Sequence, residues 1–126
     1  MPATQTATIR GIDITTCLVK DAERAKKFYT DIMGMKLTQD YGPNGGEFTF
    51  PDGTTFGLWK MEDGSWNASG WALFNVDDAR AAVEYFRSKG VKIMDHIEDS
   101  PVCVMAFAED SEGNSFIIHE RKGGRD

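Results

Sequence analysis

The chain contains two copies of one pattern, and this constrains its fold more than any other feature. The stretch DGTTFGLWK, Asp52–Lys60, returns as EGNSFIIHE, Glu112–Glu120, so that Gly53 pairs with Gly113 and Phe56 with Phe116. DAERAKKFY, Asp21–Tyr29, returns as DARAAVEYF, Asp78–Phe86, and each copy soon reaches a glycine, Gly34 or Gly90. A duplicated unit of this length predicts two similar modules closing one domain.

Within the first copy, Thr8 to Val19 reads as a strand. Asp21 offers a side-chain acceptor at a helix start. Ala22, Ala25, Phe28, Tyr29, Ile32 and Met33 follow at helical spacing. Gly34 stops that helix. Strands are expected near Lys36–Tyr41, Glu47–Phe50 and Thr54–Lys60, the last two joined by the tight turn Pro51-Asp52-Gly53. The second copy repeats the order. Its strand is Trp71–Val76, its helix starts at Asp78 and ends at Gly90, and strands follow near Val91–Met94, Val102–Ala108 and Ser115–Arg121. Each module is therefore βαβββ, one helix lying on one face of its sheet. The expected class is α+β, with an open cavity between curved mixed sheets. A single domain of 126 residues is expected, with module one about 7–61, a linker about 62–70 and module two about 71–121. The tail Lys122–Asp126 is expected to be disordered.

Composition narrows the function classes. Twenty acidic against 14 basic side chains give a formal charge of −6, which disfavours nucleic acid as a partner because a basic stripe supplies most of that affinity. Lys26 and Lys27 read as the solvated face of a helix. No apolar run approaches the ~20 residues needed to span a bilayer, and MPATQTATIRG lacks the pattern of a signal peptide. A cytoplasmic protein without membrane contact is expected. Cys17 and Cys103 sit in apolar strand patterns and read as buried packing residues. Gly45-Gly46 precedes a strand and not a helix, so it is no phosphate loop.

Strand alternation sorts the two faces of each sheet. Phe48, Phe50, Phe56 and Leu58 belong under the helix of module one, and Phe74, Val76, Phe116 and Ile118 under that of module two. The cavity face then receives Ile14, Thr16, Glu47, Thr49, Gly57 and Trp59 from the first module. From the second it receives Trp71, Leu73, Asn75, Cys103, Met105, Phe107, Ile117 and His119. Trp59 and Trp71 either stack on a flat apolar ligand or fill the space between sheets. Glu47 and His119 either orient a ligand or are structural. Trp66, in the linker, either covers the cavity mouth or contacts a second copy. His96, beside Asp95 and Glu98, reads as a surface loop residue.

The strings LVKDAERAKKFYTDIMGMKL, FNVDDARAAVEYFRSKGVKI and FAEDSEGNSFIIHE resemble the vicinal oxygen chelate superfamily. That group includes glyoxalase I, extradiol dioxygenases, and fosfomycin- and bleomycin-resistance proteins. The resemblance runs from about Ile12 to Arg121. It implies metal ligands early on the first strand of each module and on the last strands. Seven residues before the capping aspartates stand Ile14 and Trp71, and four past the turn glycines stand Gly57 and Ile117. None offers the imidazole, carboxylate or thiolate that a divalent metal needs. No metal site of the family type and no cofactor is expected.

The resemblance also covers metal-free members that sequester a flat drug in a groove completed by two chains. The leading expectation is therefore a metal-independent homodimer that binds a small aromatic or hydrophobic molecule between modules, for sequestration or resistance. Alternatives are a metal-free lyase or isomerase using Glu47 and His119 as an acid–base pair, a metal-dependent glyoxalase or dioxygenase, and a purely structural dimer module.

Overall fold

A computed structural model describes residues 8–68 and 70–123. Two four-stranded mixed sheets, each with one helix, form an α+β fold. The first contains β1 (Thr15–Leu18), β2 (Gln39–Asp40), β3 (Gly45–Thr49) and β4 (Thr55–Trp59), in the order β1-β4-β3-β2. The second contains β5 (Ala72–Asn75), β6 (Lys92–Asp99), β7 (Cys103–Glu109) and β8 (Ser115–Arg121), in the order β5-β8-β7-β6. In each sheet the first strand runs parallel to the last, and the remaining pairs are antiparallel.

The duplication is visible bond by bond. Helices α1 (Ala22–Lys27) and α2 (Ala79–Ser88) start at Asp21 and Asp78, whose carboxylates accept the N–H of Arg24 and of Ala81, both at 3.0 Å. Val19 N–H bonds the Trp59 carbonyl and Val76 N–H that of His119, again both at 3.0 Å. In the β3–β4 turn Phe50 N–H bonds the Thr54 carbonyl at 2.9 Å, and in the β7–β8 turn Asp110 N–H bonds that of Asn114 at 2.9 Å. Gly53 and Gly113 occupy matching left-handed positions, φ 88° and 84°, which an L side chain adopts only with strain.

One departure from the repeat has a local cause. A single residue more separates Asp21 from Gly34 than separates Asp78 from Gly90. The extra residue is absorbed where α1 runs into a π-helical turn, Phe28–Ile32, and Met33 N–H bonds the Phe28 carbonyl five residues back at 3.0 Å. Single π turns inside helices are the usual way to accommodate such an insertion.

The helix-covered faces of both sheets share one core. Phe28, Tyr29, Phe48, Phe56 and Leu58 join Val83, Val104, Phe116 and Ile118 in a single buried cluster. Tyr29 lies at its centre, with ring centroids 5.2 Å from Phe56 and 6.4 Å from Phe116. Phe74 meets Phe56 edge-on at 5.1 Å, so the halves interlock through aromatic rings.

Four expectations need correction. The first strand is shorter than Thr8–Val19, because among the described residues β1 pairs with β4 alone and no strand pairs with residues 8–14. The strand near Lys36–Tyr41 contracts to Gln39–Asp40, although Thr38 and Tyr41 continue the pairing with N–H bonds to Glu47 and Gly45. His96 stands in a strand, since β6 runs on to Asp99 through an irregularity between Ile93 and Ile97; its side chain is exposed, 2.6 Å from Glu98. Lys26 is 5% exposed and not on a solvated face. Its stem lies against Gly46, and its ammonium bonds the Asp40 carboxylate at 2.7 Å and the Gly42 carbonyl at 2.6 Å. Long basic side chains bury their stems in this way when the head finds partners. Burial lowers the Lys26 pKa, but its bonds to Asp40 and Glu23 outweigh this and raise it overall. The N-terminal residues read for a signal peptide lie largely outside the described residues, as does the 124–126 part of the tail.

Candidate functional site

In module one the face away from the helix is set by register. Thr16, Gly57 and Glu47 stand side by side across β1, β4 and β3. Thr49 pairs with Thr55, their hydroxyls 3.0 Å apart. Trp59, 40% exposed, meets Tyr41 edge-on at 6.1 Å. The Tyr41 hydroxyl donates to Glu47 at 3.2 Å, and partial burial together with that carboxylate raises the phenol's pKa.

Module two presents the equivalent face. Leu73, Ile117 and Phe107 form one row across β5, β8 and β7, and Asn75, His119 and Met105 the next. Trp71, 64% exposed, lies 6.1 Å from Phe107. Along β7, Val104, Ala106 and Ala108 are buried while Met105 and Phe107 are half-buried, which resolves the strand whose faces the sequence left ambiguous. Cys103 is buried on the same side as Met105, with its Sγ 3.6 Å from the Ser100 hydroxyl. Neither cysteine is in a disulfide.

The residues present do not fit the metal that the resemblance implies. A Cβ at Gly57 would stand 3.0 Å from the Thr16 hydroxyl and 3.3 Å from the Ile14 side chain, so the position is already closed over. Ile14, Trp71 and Ile117 carry no donor atom. Among the described residues no three of His, Cys, Asp and Glu come together to hold an ion. Glu47 and His119 belong to different sheets, the first held by Tyr41 and the second placed opposite Met105 and Asn75.

The two junctions between modules differ sharply. At one, the β7–β8 turn is clamped to α1. The buried Glu112 carboxylate accepts the backbone N–H of Lys20 at 2.9 Å and of Asp21 at 3.0 Å, together with Arg24 Nε at 2.6 Å. Tyr29 donates its hydroxyl to Asp110 at 2.7 Å, and Asn114 donates to the Leu18 carbonyl at 2.9 Å. Burial raises the Glu112 pKa, but the Arg24 guanidinium and the backbone N–H groups more than compensate, so the net shift is downward. Burial and the Asp110 carboxylate push the Tyr29 phenol far up. Trp66 packs over this junction, with the Lys20 ammonium 4.1 Å from its ring and Gly113 beneath it. Neither role expected for Trp66 included this one.

At the other junction the residues in matching positions cannot build that clamp. Phe86 stands for Tyr29, Ala81 for Arg24 and Phe50 for Asp110. There the β3–β4 turn stands away from α2, and a cleft of about 830 Å³ opens between modules. Its walls include Met33, Met35, Phe50, Phe74, Val76 and Phe86. Thr49, Trp71, Leu73 and Asn75, expected on the cavity face, also reach it. Ile14, Thr16, Glu47, Gly57, Trp59, Cys103, Met105, Phe107, Ile117 and His119 do not line it. Sequence reasoning missed both junctions; the local signals were the contrasts between the turns FPDGT and DSEGN and between the paired helices at Arg24 and Ala81 and at Tyr29 and Phe86.

The sequence profile of the Glyoxalase/Bleomycin resistance protein/Dioxygenase superfamily matches residues 11–118, and the chain belongs to that superfamily. Lactoylglutathione lyase of Escherichia coli O157:H7 is 32% identical over 130 residues, covering 88% of this chain and 93% of that protein. A protein of Arabidopsis thaliana described as a probable chloroplastic lactoylglutathione lyase is 32% identical over 123 residues, covering 82% of this chain. The chain spans only 33% of that longer relative. Among solved structures, a superfamily member from Sphaerobacter thermophilus DSM 20745 superposes with a TM-score of 0.75 at 24% identity, covering 90% of this chain and 98% of that one. TnmS3, an antibiotic binding protein from Streptomyces sp. CB03234, superposes with a TM-score of 0.72 at 22% identity, with the same coverage of 90% and 98%. Among the described residues no helix is long and apolar enough to cross a membrane.

Proposed function

We propose that this chain is a metal-independent binding protein that takes a small, flat aromatic or hydrophobic molecule on its aromatic-lined sheet faces and acts as a homodimer. One observation carries the reading. The positions where the superfamily coordinates metal hold Ile14, Gly57, Trp71 and Ile117, with Gly57 covered by Ile14 and Thr16, while the same faces expose Trp59 and Trp71. A flat ring stacks on such side chains with about 0.5–1.5 kcal/mol beyond the burial of area. The likeness to TnmS3, an antibiotic binding protein, is compatible with sequestration.

The dimer is supported by exposed apolar side chains on the sheet faces turned away from the shared core. Trp71 is 64% exposed, Leu73 49%, and Ile14 and Trp59 40% each. Apolar surface of this kind usually marks an interface or a ligand site. A second chain placing one module's face against the other's would enclose both.

The lyase names of the relatives favour a second reading, in which the chain acts on a thioester or hemithioacetal of glutathione. Lactoylglutathione lyase assays with and without added Zn, Ni or Mn, combined with metal analysis of protein purified without chelator, separate the two. Binding of aromatic compounds without turnover and with no stoichiometric metal is expected. Metal-dependent turnover, or one bound metal per chain, would overturn the binding reading.

A further inference from the structure

The duplicated halves meet at two pseudo-equivalent junctions, and only one is closed. The turns themselves match in hydrogen bonds and glycine geometry, so the difference lies in the side chains placed between turn and helix. Where the closed junction has Tyr29, Arg24 and Asp110, the open one has Phe86, Ala81 and Phe50. These replacements remove the counterparts of the Tyr29–Asp110 and Arg24–Glu112 bonds, while Asp52 and Thr54, at the positions of Glu112 and Asn114, bond each other, and the space is left unfilled. Half-buried Phe50, Phe74, Val76 and Phe86 face a cleft of about 830 Å³, within the range of about 300–1,000 Å³ found for small-molecule sites.

Charge gives the cleft a polarity. Lys36 lines it, is exposed, and forms no ion pair among the described residues. The other charged side chain in the wall, Asp52, is engaged by Thr54, whose N–H donates at 3.0 Å and whose hydroxyl donates at 2.7 Å. A ligand entering here meets aromatic walls and an available cation.

We propose that the open junction is a second ligand site, adjoining the metal-free sheet faces but with a wall of its own at Met33, Met35 and Phe86, that takes a flat, largely apolar molecule bearing one anionic group. The rings of Phe74 and Phe86 contact its apolar body, and Lys36 pairs with its anion. Thr49, Trp71, Leu73 and Asn75 reach both this cleft and the sheet faces, but Met33 and Met35 belong to the cleft alone, and Met105 to the sheet face alone.

That division makes the site readable. In protein labelled at the methionine methyls and titrated with 8-anilinonaphthalene-1-sulfonate, the Met33 and Met35 methyl resonances are expected to shift together and saturate. Thr54→Trp, which adds bulk at the cleft from an exposed turn residue, is expected to weaken that binding about tenfold or more. Lys36→Gln, which leaves packing alone, is expected to weaken it about threefold or more. In both variants Met94 and Met105 should keep their positions in the unliganded protein, showing that the fold is intact. Shifts confined to Met105, no shift at all, or Met33 and Met35 shifts indifferent to both variants would overturn the site. Trp59→Ala tests the sheet-face reading independently, because Trp59 does not line the cleft.

Discussion

Tyr29 and Asp110 join the two halves of the repeat through one buried hydrogen bond of 2.7 Å, whereas their counterparts Phe86 and Phe50 flank an open cleft. Tyr29 also centres the aromatic core, touching Phe48, Phe56, Phe74 and Phe116. A phenol is the one side chain that can serve both purposes there, since its ring packs with the phenylalanines while its hydroxyl satisfies a buried carboxylate.

Removing only that hydroxyl should therefore be costly. Tyr29→Phe is expected to lower stability by about 1–3 kcal/mol, because Asp110 stays buried with one partner fewer. Phe86→Tyr, the reciprocal change at the open junction, should cost far less. Urea unfolding of both variants checks this, with a lower midpoint and unchanged slope expected for Tyr29→Phe.

Glu112 makes stability depend on acid. Its folded pKa lies below the ordinary value of 4.5. Its contribution is thus fully present above about pH 4.5 and is lost as pH falls through the depressed folded value. Glu112→Gln should be less stable than the parent at neutral pH, and the difference should shrink as pH falls below about 4.5. Unfolding free energies measured across this range decide the matter; a constant difference would show that the carboxylate's charge is not the cause.

Loss of an exposed tryptophan should weaken ligand binding in the proposed site. Trp71→Ala and Trp59→Ala are each expected to reduce affinity for a flat aromatic ligand about tenfold. Tryptophan fluorescence titrations of the parent and of each single variant provide the measurement, and full affinity in both variants would place the ligand elsewhere.

The exposed sheet faces also predict an association state. The parent should sediment as a dimer, and Leu73→Lys, which sets a charge among Trp71, Ile117 and Phe107, should shift it toward monomer without unfolding it. Analytical ultracentrifugation with a circular dichroism control tests this, and a monomeric parent would remove the argument for a shared groove.

Much of this architecture was legible because it depends on local periods. The pairing of Asp21 with Asp78 and of Gly53 with Gly113 located both helix starts and both hairpins. Alternation along β4 separated Phe56 and Leu58 from Gly57 and Trp59. The π turn was harder to see, since its only sign is one surplus residue before Gly34. Lys26 was misjudged because its partners, Asp40 and Gly42, come from a turn whose position no helical period reveals. The cleft was invisible for a related reason. It belongs to no strand or helix but to the angle at which two modules meet, and that angle is set by contacts such as Arg24–Glu112, which are 88 residues apart in the chain.

The unequal junctions also divide the ways in which the halves are joined. One seam is held by directional polar bonds from Tyr29, Arg24, Glu112 and Asn114, whereas the other is joined by apolar contacts such as Phe50 against Phe74, ring centroids 6.4 Å apart. A polar bond tolerates little error in distance or angle, but apolar contact is non-directional, so the polar seam sets the register of the two modules and the apolar seam follows it.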